Sequence, residues 1–261
     1  MRLSREQIER FERQGFVLLP GLFSPREVEV LRAALAPVFA ADDPANVREK
    51  GSGEVRTAMG LHKRSAAYAS LVRHPRLLGP AFQLLGEGLY AQQVKVNLKA
   101  AFEGEAWQWH YDFATHHHED GVPEPLALNL HVFLDEVNQF NGPLYFIPGS
   151  HAEGPAPCTL DEVSTSYPLW VVERESVARL VEAHGITAAT GPAGTALIFG
   201  DCLVHASPPN LSPWNRRIFS LIANPIQNAQ RRFARPDYKH HRDFAPLVPL
   251  ADDCLTAQAA A

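Results

Sequence analysis

The seven residues Trp-Gln-Trp-His-Tyr-Asp-Phe, at positions 107–113, are the most informative stretch of this 261-residue sequence. We predict a β-strand here, and side chains two residues apart on a strand project from the same face. His110 and Asp112 therefore point the same way, so that an imidazole and a carboxylate can chelate one metal ion. The same spacing also fits a hydrogen-bonded surface pair, so a metal site requires a third ligand from elsewhere in the chain.

The neighbouring segments predict further strands with one polar face. Between residues 89 and 101 the even positions are mainly apolar, and polar residues occupy the odd positions Gln93, Lys95, Asn97 and Lys99. Residues 125–135 alternate in the same way and place Asn129 and His131 on the polar face. One such strand is typical of a solvated sheet, but several of them around a His-x-Asp pair indicate a barrel with a polar interior.

A third ligand and a charged anchor follow a buried strand later in the chain. Residues 194–201 are largely apolar and predict this strand, His205 comes soon after it, and Arg216 follows eleven residues further on. Two histidines and one carboxylate form the facial triad of non-haem Fe(II) oxygenases, with the His-x-Asp pair and His205 as candidates here. Arg216 begins a strand predicted for residues 216–223, where its guanidinium can pair with a carboxylate inside the barrel.

The first third of the chain predicts helices that support the strand-rich region. Ser4 and Ser24 each precede a helix and are followed three residues later by Gln or Glu, which forms a capping box. Residues 75–85 have a helical apolar face, whereas residues 41–55 are polar and predict a surface loop. We expect a single domain over residues 1–261, with helical support at about 1–88, a strand core at about 89–225 and a C-terminal extension at about 226–261.

Composition and charge argue against several classes of protein. The formal net charge of −5 and the lack of a Lys/Arg stripe disfavour a nucleic-acid or anionic-membrane surface. No apolar run is long enough to cross a membrane, and the charged N-terminus lacks a signal-peptide core, so we expect a cytoplasmic protein without a membrane partner. Cys158, Cys202 and Cys254 are odd in number and widely spaced, which indicates free thiols rather than disulfides or a zinc site.

The stretch from His110 to Arg216 resembles the phytanoyl-CoA dioxygenase family of Fe(II)/2-oxoglutarate oxygenases. The resemblance extends over nearly the whole chain, and within the family it looks most similar to the bacterial proline 4-hydroxylases, leucine hydroxylases and ectoine hydroxylases. The motifs that carry it are VRHPRLLGPAFQLL, QVKVNLKA, WQWHYDF, EDGVPEPLALNLHVFLDE, FNGPLYFIPGSH, GPAGTALIFGDCLVHASPPNLSPWNRR and APLVPL.

The resemblance implies a fold that is mainly β with flanking α-helices, a double-stranded β-helix of the jelly-roll, cupin-like kind with helices at the N-terminal side. It implies that His110, Asp112 and His205 bind Fe(II). It also implies that Arg216 binds the distal carboxylate of the co-substrate 2-oxoglutarate. The other positions that match the co-substrate site of the family are Gln93, Lys99, Asn129 and Ser207.

The activity that the resemblance implies is hydroxylation of an unactivated C–H bond in a small, amino-acid-like metabolite, with O2 consumed and succinate and CO2 released. Ascorbate is expected to help in vitro. Related halogenases replace the carboxylate ligand by Gly or Ala, so Asp112 favours hydroxylation. Desaturation, epoxidation or cyclisation of a natural-product intermediate, free or carrier-bound, are alternatives with the same cofactors. A non-catalytic jelly-roll is an alternative of another class, against which the intact His110, Asp112, His205 and Arg216 argue.

The candidate substrate contacts are Arg56, His62, Trp109, His116 and His131. His116 stands six residues after the proximal histidine, where similar enzymes have Trp, so we expect a substrate more polar than proline or leucine. Arg56 and His62 match a neighbourhood of the amino-acid hydroxylases, and Arg56 binds a substrate carboxylate or forms a surface ion pair. For His131 two interpretations are open: it lines the pocket, or it is a core histidine whose ring nitrogens form hydrogen bonds within the protein.

The remaining expectations concern loops, charges and assembly. The long Pro-rich loop 154–170 is expected to act as a lid. The histidine run 116–118 suggests a second metal site or, by the commoner interpretation, a solvated loop. His240 and His241 are expected in a surface tail, and Arg217 as a surface charge pointing away from Arg216. We expect a monomer or homodimer whose partner is a small molecule.

Overall fold

Two antiparallel β-sheets face each other and form the frame of the molecule. The computed structural model describes residues 1–257. Its strands are β1 (Phe16–Leu19), β2 (Asn46–Arg48), β3 (Val55–Met59), β4 (Leu89–Lys99), β5 (Trp107–His110), β6 (Leu128–Phe133), β7 (Leu144–Phe146), β8 (Cys158–Asp161), β9 (Leu169–Val172), β10 (Thr187–Ala189), β11 (Ala196–Gly200), β12 (His205–Ser207) and β13 (Arg216–Pro225).

The helices lie mainly in the N-terminal part of the chain. They are α1 (Arg5–Gln14), α2 (Pro25–Ala33), α3 (Leu35–Ala40), α4 (Leu61–Arg64), α5 (Ala66–Val72), α6 (Pro75–Leu85), α7 (Asp112–Asp120), α8 (Arg174–His184) and α9 (Cys254–Ala257), with short 3-10 turns at Ser150–Glu153 and Ile226–Asn228. Within the described range, no helix has the length and apolar character needed to cross a bilayer.

The sheet topology confirms the expected jelly-roll architecture. The larger sheet has seven strands in the order β1-β11-β6-β13-β4-β3-β2, and the smaller has four in the order β10-β7-β12-β5. Strands β8 and β9 form a separate two-stranded hairpin. The sheets are open and do not close into the barrel that the polar strand faces suggested, so the polar interior lies between two facing sheets.

The alternation in β4 explains how the larger sheet is supported. Val94 and Val96, at two of its even positions, are fully buried and join one apolar cluster with Leu31 of α2 and Leu71 of α5. Burying each of these side chains contributes about 1.5–3 kcal/mol, so the helices are held against the outer face of the sheet. The odd positions Gln93, Lys95 and Asn97 consequently face the cavity on the other side of the strand.

Aromatic side chains fill much of the space between the two sheets. Phe146 of the smaller sheet stacks on Phe16 with ring centroids 4.8 Å apart, and its ring lies 5.2 Å from that of Phe199 in the larger sheet. These residues belong to a second apolar cluster that also contains Phe133. This cluster fixes the spacing of the sheets beside the polar cavity.

The predicted helix starts are confirmed, but one predicted loop is wrong. Ser4 and Ser24 both form complete capping boxes, with Gln7 and Glu27 as their partners. Residues 41–55 were expected to be a surface loop, yet they contain the edge strand β2. The strand is anchored because the buried Asn46 amide donates to the Val38 carbonyl, 2.7 Å away.

Two histidine segments also differ from the expectation. The run 116–118, expected in a loop, lies on α7, which begins at Asp112 and ends at Gly121, whose φ of 68° is suited to glycine. The strand predicted for 107–113 therefore stops at His110. His240 and His241, expected in a surface tail, are each only 1% exposed, because the C-terminal extension folds back over the larger sheet and α7.

Gly194 provides a test of how the N-terminal segment is tied to the larger sheet. It has a φ of +86°, and a Cβ atom there would overlap the carbonyl oxygen of Phe23, whose backbone N–H donates to the Gly194 carbonyl. We expect Gly194→Ala to lower the free energy of unfolding by about 2–4 kcal/mol, since it adds a backbone clash to backbone strain.

The matched control is Gly53→Ala. Gly53 has a φ of +74°, but no atom lies within 4 Å of the place that a Cβ atom would occupy, so only strain of about 1 kcal/mol is expected. Chemical denaturation of both variants measures the difference. Equal losses of stability would contradict the close approach of Phe23 to Gly194.

Candidate metal and co-substrate site

Three metal-ligand side chains meet at one end of the smaller sheet. Strands β5 and β12 pair antiparallel and place His110 opposite His205, while Asp112 follows as the first residue of α7. One ligand atom from each residue lies within 4.8 Å of the others. The Asp112 carboxylate oxygens lie 4.0 Å from His110 Nε2 and 3.9 Å from His205 Nε2. The cluster thus has the composition and spacing of a facial triad.

Backbone carbonyls orient both imidazoles. His110 Nδ1 lies 2.6 Å from the Gln108 carbonyl oxygen, and His205 Nδ1 lies 2.9 Å from that of Leu203. Each Nδ1–H donates to its carbonyl, which leaves the Nε2 lone pair directed at the cluster. Burial lowers the pKa of His110 to about 3, so this imidazole is neutral at physiological pH and available as a ligand.

The carboxylate is held in its ionised form. Burial alone would favour the neutral acid of Asp112, but His205 and Lys95 nearby keep its pKa below the usual range. Asn129 Nδ2 donates to Asp112 Oδ2 at 2.9 Å and fixes its orientation. Two imidazoles and one ionised carboxylate beside a cavity are a donor set that fits a divalent metal ion.

A buried guanidinium lies on the same cavity wall. Arg216 is 2% exposed, and its Nη2 donates to Ser207 Oγ at 3.2 Å. Its Nε is buried and has no hydrogen-bond partner among residues 1–257. Burial lowers the pKa of Arg216 to about 9, which still leaves it charged at neutral pH. An incompletely paired buried cation requires an anion, and the carboxylate of 2-oxoglutarate satisfies this requirement.

The other expected co-substrate positions are only partly at the cavity. Gln93 and Asn129 line it. Lys99 is paired with Arg216 across β4 and β13, but its ammonium donates to the Glu105 carbonyl and lies outside the cavity wall. Burial lowers the pKa of Lys99 well below its ordinary value. Lys99 therefore adjoins the Arg216 end without facing the space that a ligand would fill.

His131 is a cavity residue rather than a satisfied core histidine. It is 4% exposed, and neither ring nitrogen has a hydrogen-bond partner within the described residues. Its ring packs edge-on against Phe199 at 4.9 Å. Burial holds the pKa of His131 well below its ordinary value, so the imidazole is neutral and can donate to, or accept from, a bound ligand.

A bulge in β5 places Trp107 at the cavity instead of Trp109, the tryptophan expected there. Strict alternation places both Trp107 and Trp109 on the face opposite to His110. The β5–β12 register instead shifts between His205 and Ser207, so that one extra residue is accommodated on β5. As a result Trp107 lines the cavity, whereas Trp109, expected to contact substrate, packs into an apolar cluster on the other side.

Arg56 is also not at the cavity wall. It is 1% exposed, and its Nη1 lies 3.1 Å from carboxylate oxygens of both Glu49 and Glu105. Its guanidinium carbon lies 4.0 Å from the centre of the Trp107 ring. Arg56 therefore forms a buried ion-pair network, and neither of the two expected roles applies. Because its guanidinium packs on the Trp107 ring, Arg56 supports the position of that ring.

His62 lies in a different part of the structure. Its ring packs edge-on against His241, with centroids 4.4 Å apart, and both histidines line a second cavity between α5 and the C-terminal extension. The resemblance in the Arg56–His62 segment thus does not bring His62 to the triad. His116, by contrast, is 3% exposed and lines the main cavity from α7.

Several residues of the cavity wall were not predicted from the sequence. Lys95 is one of them, although its odd position in β4 already placed it on the polar face. Tyr167 reaches the cavity from the segment expected to be a lid, and Arg235 reaches it from the C-terminal extension. Arg235 is held by a pair of hydrogen bonds to the fully buried Asp120. Neither segment has a periodic pattern, so the sequence offered no signal for Arg235.

The expected lid is an ordered hairpin over the cavity. Residues 154–170 contain β8 and the start of β9, and Tyr167 and Leu169 line the cavity. The hairpin tip is fastened by Ser166, whose Oγ donates to Glu105 at 2.8 Å and accepts from the Lys50 backbone N–H at 2.8 Å. Glu105 also pairs with Arg56, so the tip is connected to the network behind Trp107.

This fastening predicts a local effect of Ser166→Ala. Because a net hydrogen bond contributes about 1 kcal/mol, we expect amide hydrogen exchange in residues 162–168 to accelerate about fivefold or more. Val163→Ala is the matched control, since Val163 is 83% exposed on the same tip. Exchange followed by mass spectrometry distinguishes them. Equal exchange in the two variants would mean that Ser166 does not hold the hairpin.

Comparison with known proteins gives one family. Residues 11–218 match the phytanoyl-CoA dioxygenase (PhyH) family. The L-proline trans-4-hydroxylase of Streptomyces griseoviridis is 39% identical over 256 residues, which cover 94% of this chain and 96% of the relative. The ectoine dioxygenase of Nocardia farcinica is 38% identical over 258 residues, which cover 93% of this chain and 86% of the relative.

Solved structures give a consistent result. The crystal structure of EctD from S. alaskensis with bound Fe superposes with a TM-score of 0.83 at 33% identity, covering 95% of this chain and 87% of that one. The structure of EctD with 2-oxoglutarate and 5-hydroxyectoine has a TM-score of 0.81 at 34% identity, with coverage of 95% and 86%.

Proposed function

Because this chain belongs to the phytanoyl-CoA dioxygenase (PhyH) family, we propose that it is an Fe(II)/2-oxoglutarate-dependent dioxygenase that hydroxylates an unactivated C–H bond of a small, amino-acid-like metabolite and releases succinate and CO2. The single observation that carries this proposal is the presence, on one cavity, of the three clustered ligand atoms and the incompletely paired Arg216. A ligand-binding jelly-roll without activity would have no need for both.

Different residues of the chain would bind the metal ion and the co-substrate. His110, Asp112 and His205 would hold Fe(II), and Arg216 with Ser207 would bind the distal carboxylate of 2-oxoglutarate. When bound, Fe(II) and 2-oxoglutarate supply the activation of O2 that hydroxylation requires. Two backbone carbonyls fix the imidazoles, and the Asn129 amide fixes Asp112. These contacts hold the metal-coordinating atoms in position before the metal binds.

The rest of the cavity indicates how a substrate would be bound. Arg235 projects into it and is braced by Asp120, so its guanidinium is positioned before a ligand arrives. We propose that it binds the carboxylate of an amino-acid-like substrate. Trp107 and Tyr167, whose rings lie 5.3 Å apart, form an aromatic wall that excludes water next to the triad. The proline and ectoine named for the relatives are small molecules of this class.

The molecular context is also a proposal. We propose that residues 1–261 act as one dioxygenase domain, since the helices, both sheets and the extension all contribute to one core or one cavity wall. Cys158, Cys202 and Cys254 are free, which supports a reducing cytoplasmic location. A monomer or a homodimer is compatible with the site, because this chain supplies all of the residues assigned to it.

Turnover tests the function directly. The purified protein is incubated with Fe(II), 2-oxoglutarate, ascorbate and O2 in the presence of single free amino acids and cyclic amino-acid derivatives. We expect at least one compound to stimulate succinate release and to gain the mass of one oxygen atom. His205→Ala should abolish both signals, while His117→Ala, on the exposed side of α7, should retain them. An iron-loaded protein that never consumes 2-oxoglutarate would contradict the proposal.

The two adjacent arginines test the strand register. We expect Arg216→Ala to weaken 2-oxoglutarate binding by about 2–4 kcal/mol, because it removes a charge-assisted pair in a buried site. Arg217→Ala should leave this binding unchanged, since Arg217 points outward and pairs with Asp135 at 2.8 Å. Anaerobic titration of the Fe(II) protein with 2-oxoglutarate, followed by visible absorption, measures both. A larger effect of Arg217→Ala than of Arg216→Ala would mean that Arg217, and not Arg216, faces the cavity.

A further inference from the structure

A buried aspartate stands directly behind one histidine of the cavity wall. His116 on α7 lines the cavity, and its Nδ1 lies 3.4 Å from Oδ1 of Asp201. Asp201 is 1% exposed, in the turn that follows β11. Its backbone N–H donates to the Ala127 carbonyl, and its own carbonyl accepts from the Phe113 N–H. The carboxylate is therefore fixed relative to α7 and cannot withdraw from His116.

His116 is the only close polar partner that Asp201 has within residues 1–257. Neither carboxylate oxygen of Asp201 has a hydrogen-bond partner there, and the 3.4 Å contact with His116 is at ion-pair distance. Burial raises the pKa of Asp201, with His116 opposing that effect. An uncompensated charge on a buried side chain costs roughly several kcal/mol. The two side chains must therefore together be close to neutral. A neutral pair carries two protons between its imidazole and its carboxyl group.

Both ways of placing two protons give the same outcome at the cavity. If Asp201 is ionised, the imidazole is protonated and both of its nitrogens carry hydrogen. If Asp201 is the neutral acid, it donates to Nδ1, and the imidazole hydrogen is on Nε2. In either case Nε2 of His116 is a hydrogen-bond donor.

Within residues 1–257 that donor has no hydrogen-bond partner. Nδ1 is the buried nitrogen that faces Asp201. Among the residues that the structure describes, none forms a hydrogen bond with Nε2. The nearest aromatic neighbour, the ring of His240, lies 6.0 Å away, and its Nδ1 is already 2.6 Å from Asp120. The Nε2–H of His116 is thus left for a molecule in the cavity.

We infer that His116, oriented by Asp201, is a specificity-determining residue that donates a hydrogen bond from Nε2 to an oxygen atom of the substrate. This inference rests on the proposed function and narrows its substrate class. The substrate is a small amino acid with a second oxygen-bearing group, such as a hydroxyl or carbonyl, besides the carboxylate assigned to Arg235. An apolar analogue leaves the buried donor unpaired and is rejected for that reason. Asp201 acts as the positioning residue.

The test compares amino acids of nearly equal shape. The pairs are L-threonine with L-valine, L-asparagine with L-leucine, and 5-oxo-L-proline with L-proline. For each compound kcat/KM is measured by succinate release from the Fe(II)-loaded protein. We expect the wild-type protein to favour the oxygen-bearing member of at least one pair by about tenfold or more.

Variants at the two positions separate recognition from folding. His116→Ala should lose about tenfold in kcat/KM, mainly through KM, for the oxygen-bearing member and little for its apolar partner. His116→Gln should restore the preference, because its amide nitrogen takes the place of Nε2. Asp201→Asn should reduce the preference with the same KM-dominated signature. His117→Ala, on the exposed side of the same helix, is the control and should match the wild type.

The outcomes distinguish the inference from the proposed function. If the wild-type protein consumes no 2-oxoglutarate, the proposed function itself fails. If it hydroxylates only apolar members, or accepts no oxygen-bearing member, the inference about His116 is overturned while the dioxygenase function stands. The same holds if His116→Ala and His116→Gln both keep the wild-type preference. A general loss of activity in His116→Ala with an equal effect on both members of each pair would likewise assign His116 a purely structural role.

Discussion

The antiparallel pairing of β5 with β12 is the contact on which the site depends. It places two imidazoles from distant parts of the chain directly opposite each other, and the turn from β5 into α7 adds the carboxylate. Such a pairing holds only if the smaller sheet is kept at a fixed distance from the larger one. The aromatic cluster between the sheets and the helices behind the larger sheet provide that constraint. The fold thus brings the three metal-coordinating atoms within a short distance of one another.

Charge compensation gives the cavity a second level of organisation. Three of the cationic or donor groups at or near its wall are paired with a buried or partly buried acid: Asp120 with Arg235, Asp201 with His116, and Glu49 and Glu105 with Arg56. Among the residues that the structure describes, Arg216 has only a neutral hydroxyl partner, Ser207. Because buried cations are costly without an anion, this contrast identifies the place where a permanent negative charge of a ligand is required.

Much of the frame was predictable from the sequence, because strand alternation and helix capping are local. The His-x-Asp spacing also pointed to two of the three clustered side chains, although Asp112 lies on α7 and not on the predicted strand. The polar faces of β4 and β6 and the capping boxes at Ser4 and Ser24 follow from neighbouring residues alone. The exchange of Trp107 for Trp109 was not predictable, since it results from a bulge that depends on the partner strand. Arg235 and the buried His240 were missed because the C-terminal extension has no periodic pattern, and its path is set by tertiary contacts such as those to Asp120.

The cavity wall is divided between two kinds of structure. The triad and Arg216 lie on or beside strands of the two packed sheets, whereas Tyr167 lies on a surface hairpin and Arg235 on an irregular extension. The hairpin lies outside the two apolar clusters that pack the sheets and helices together, so exchanges in it leave the sandwich core untouched. The enzyme's chemistry and its choice of substrate can therefore diverge at different rates during evolution, and laboratory redesign has a region in which mutations are tolerated without loss of the cofactor site.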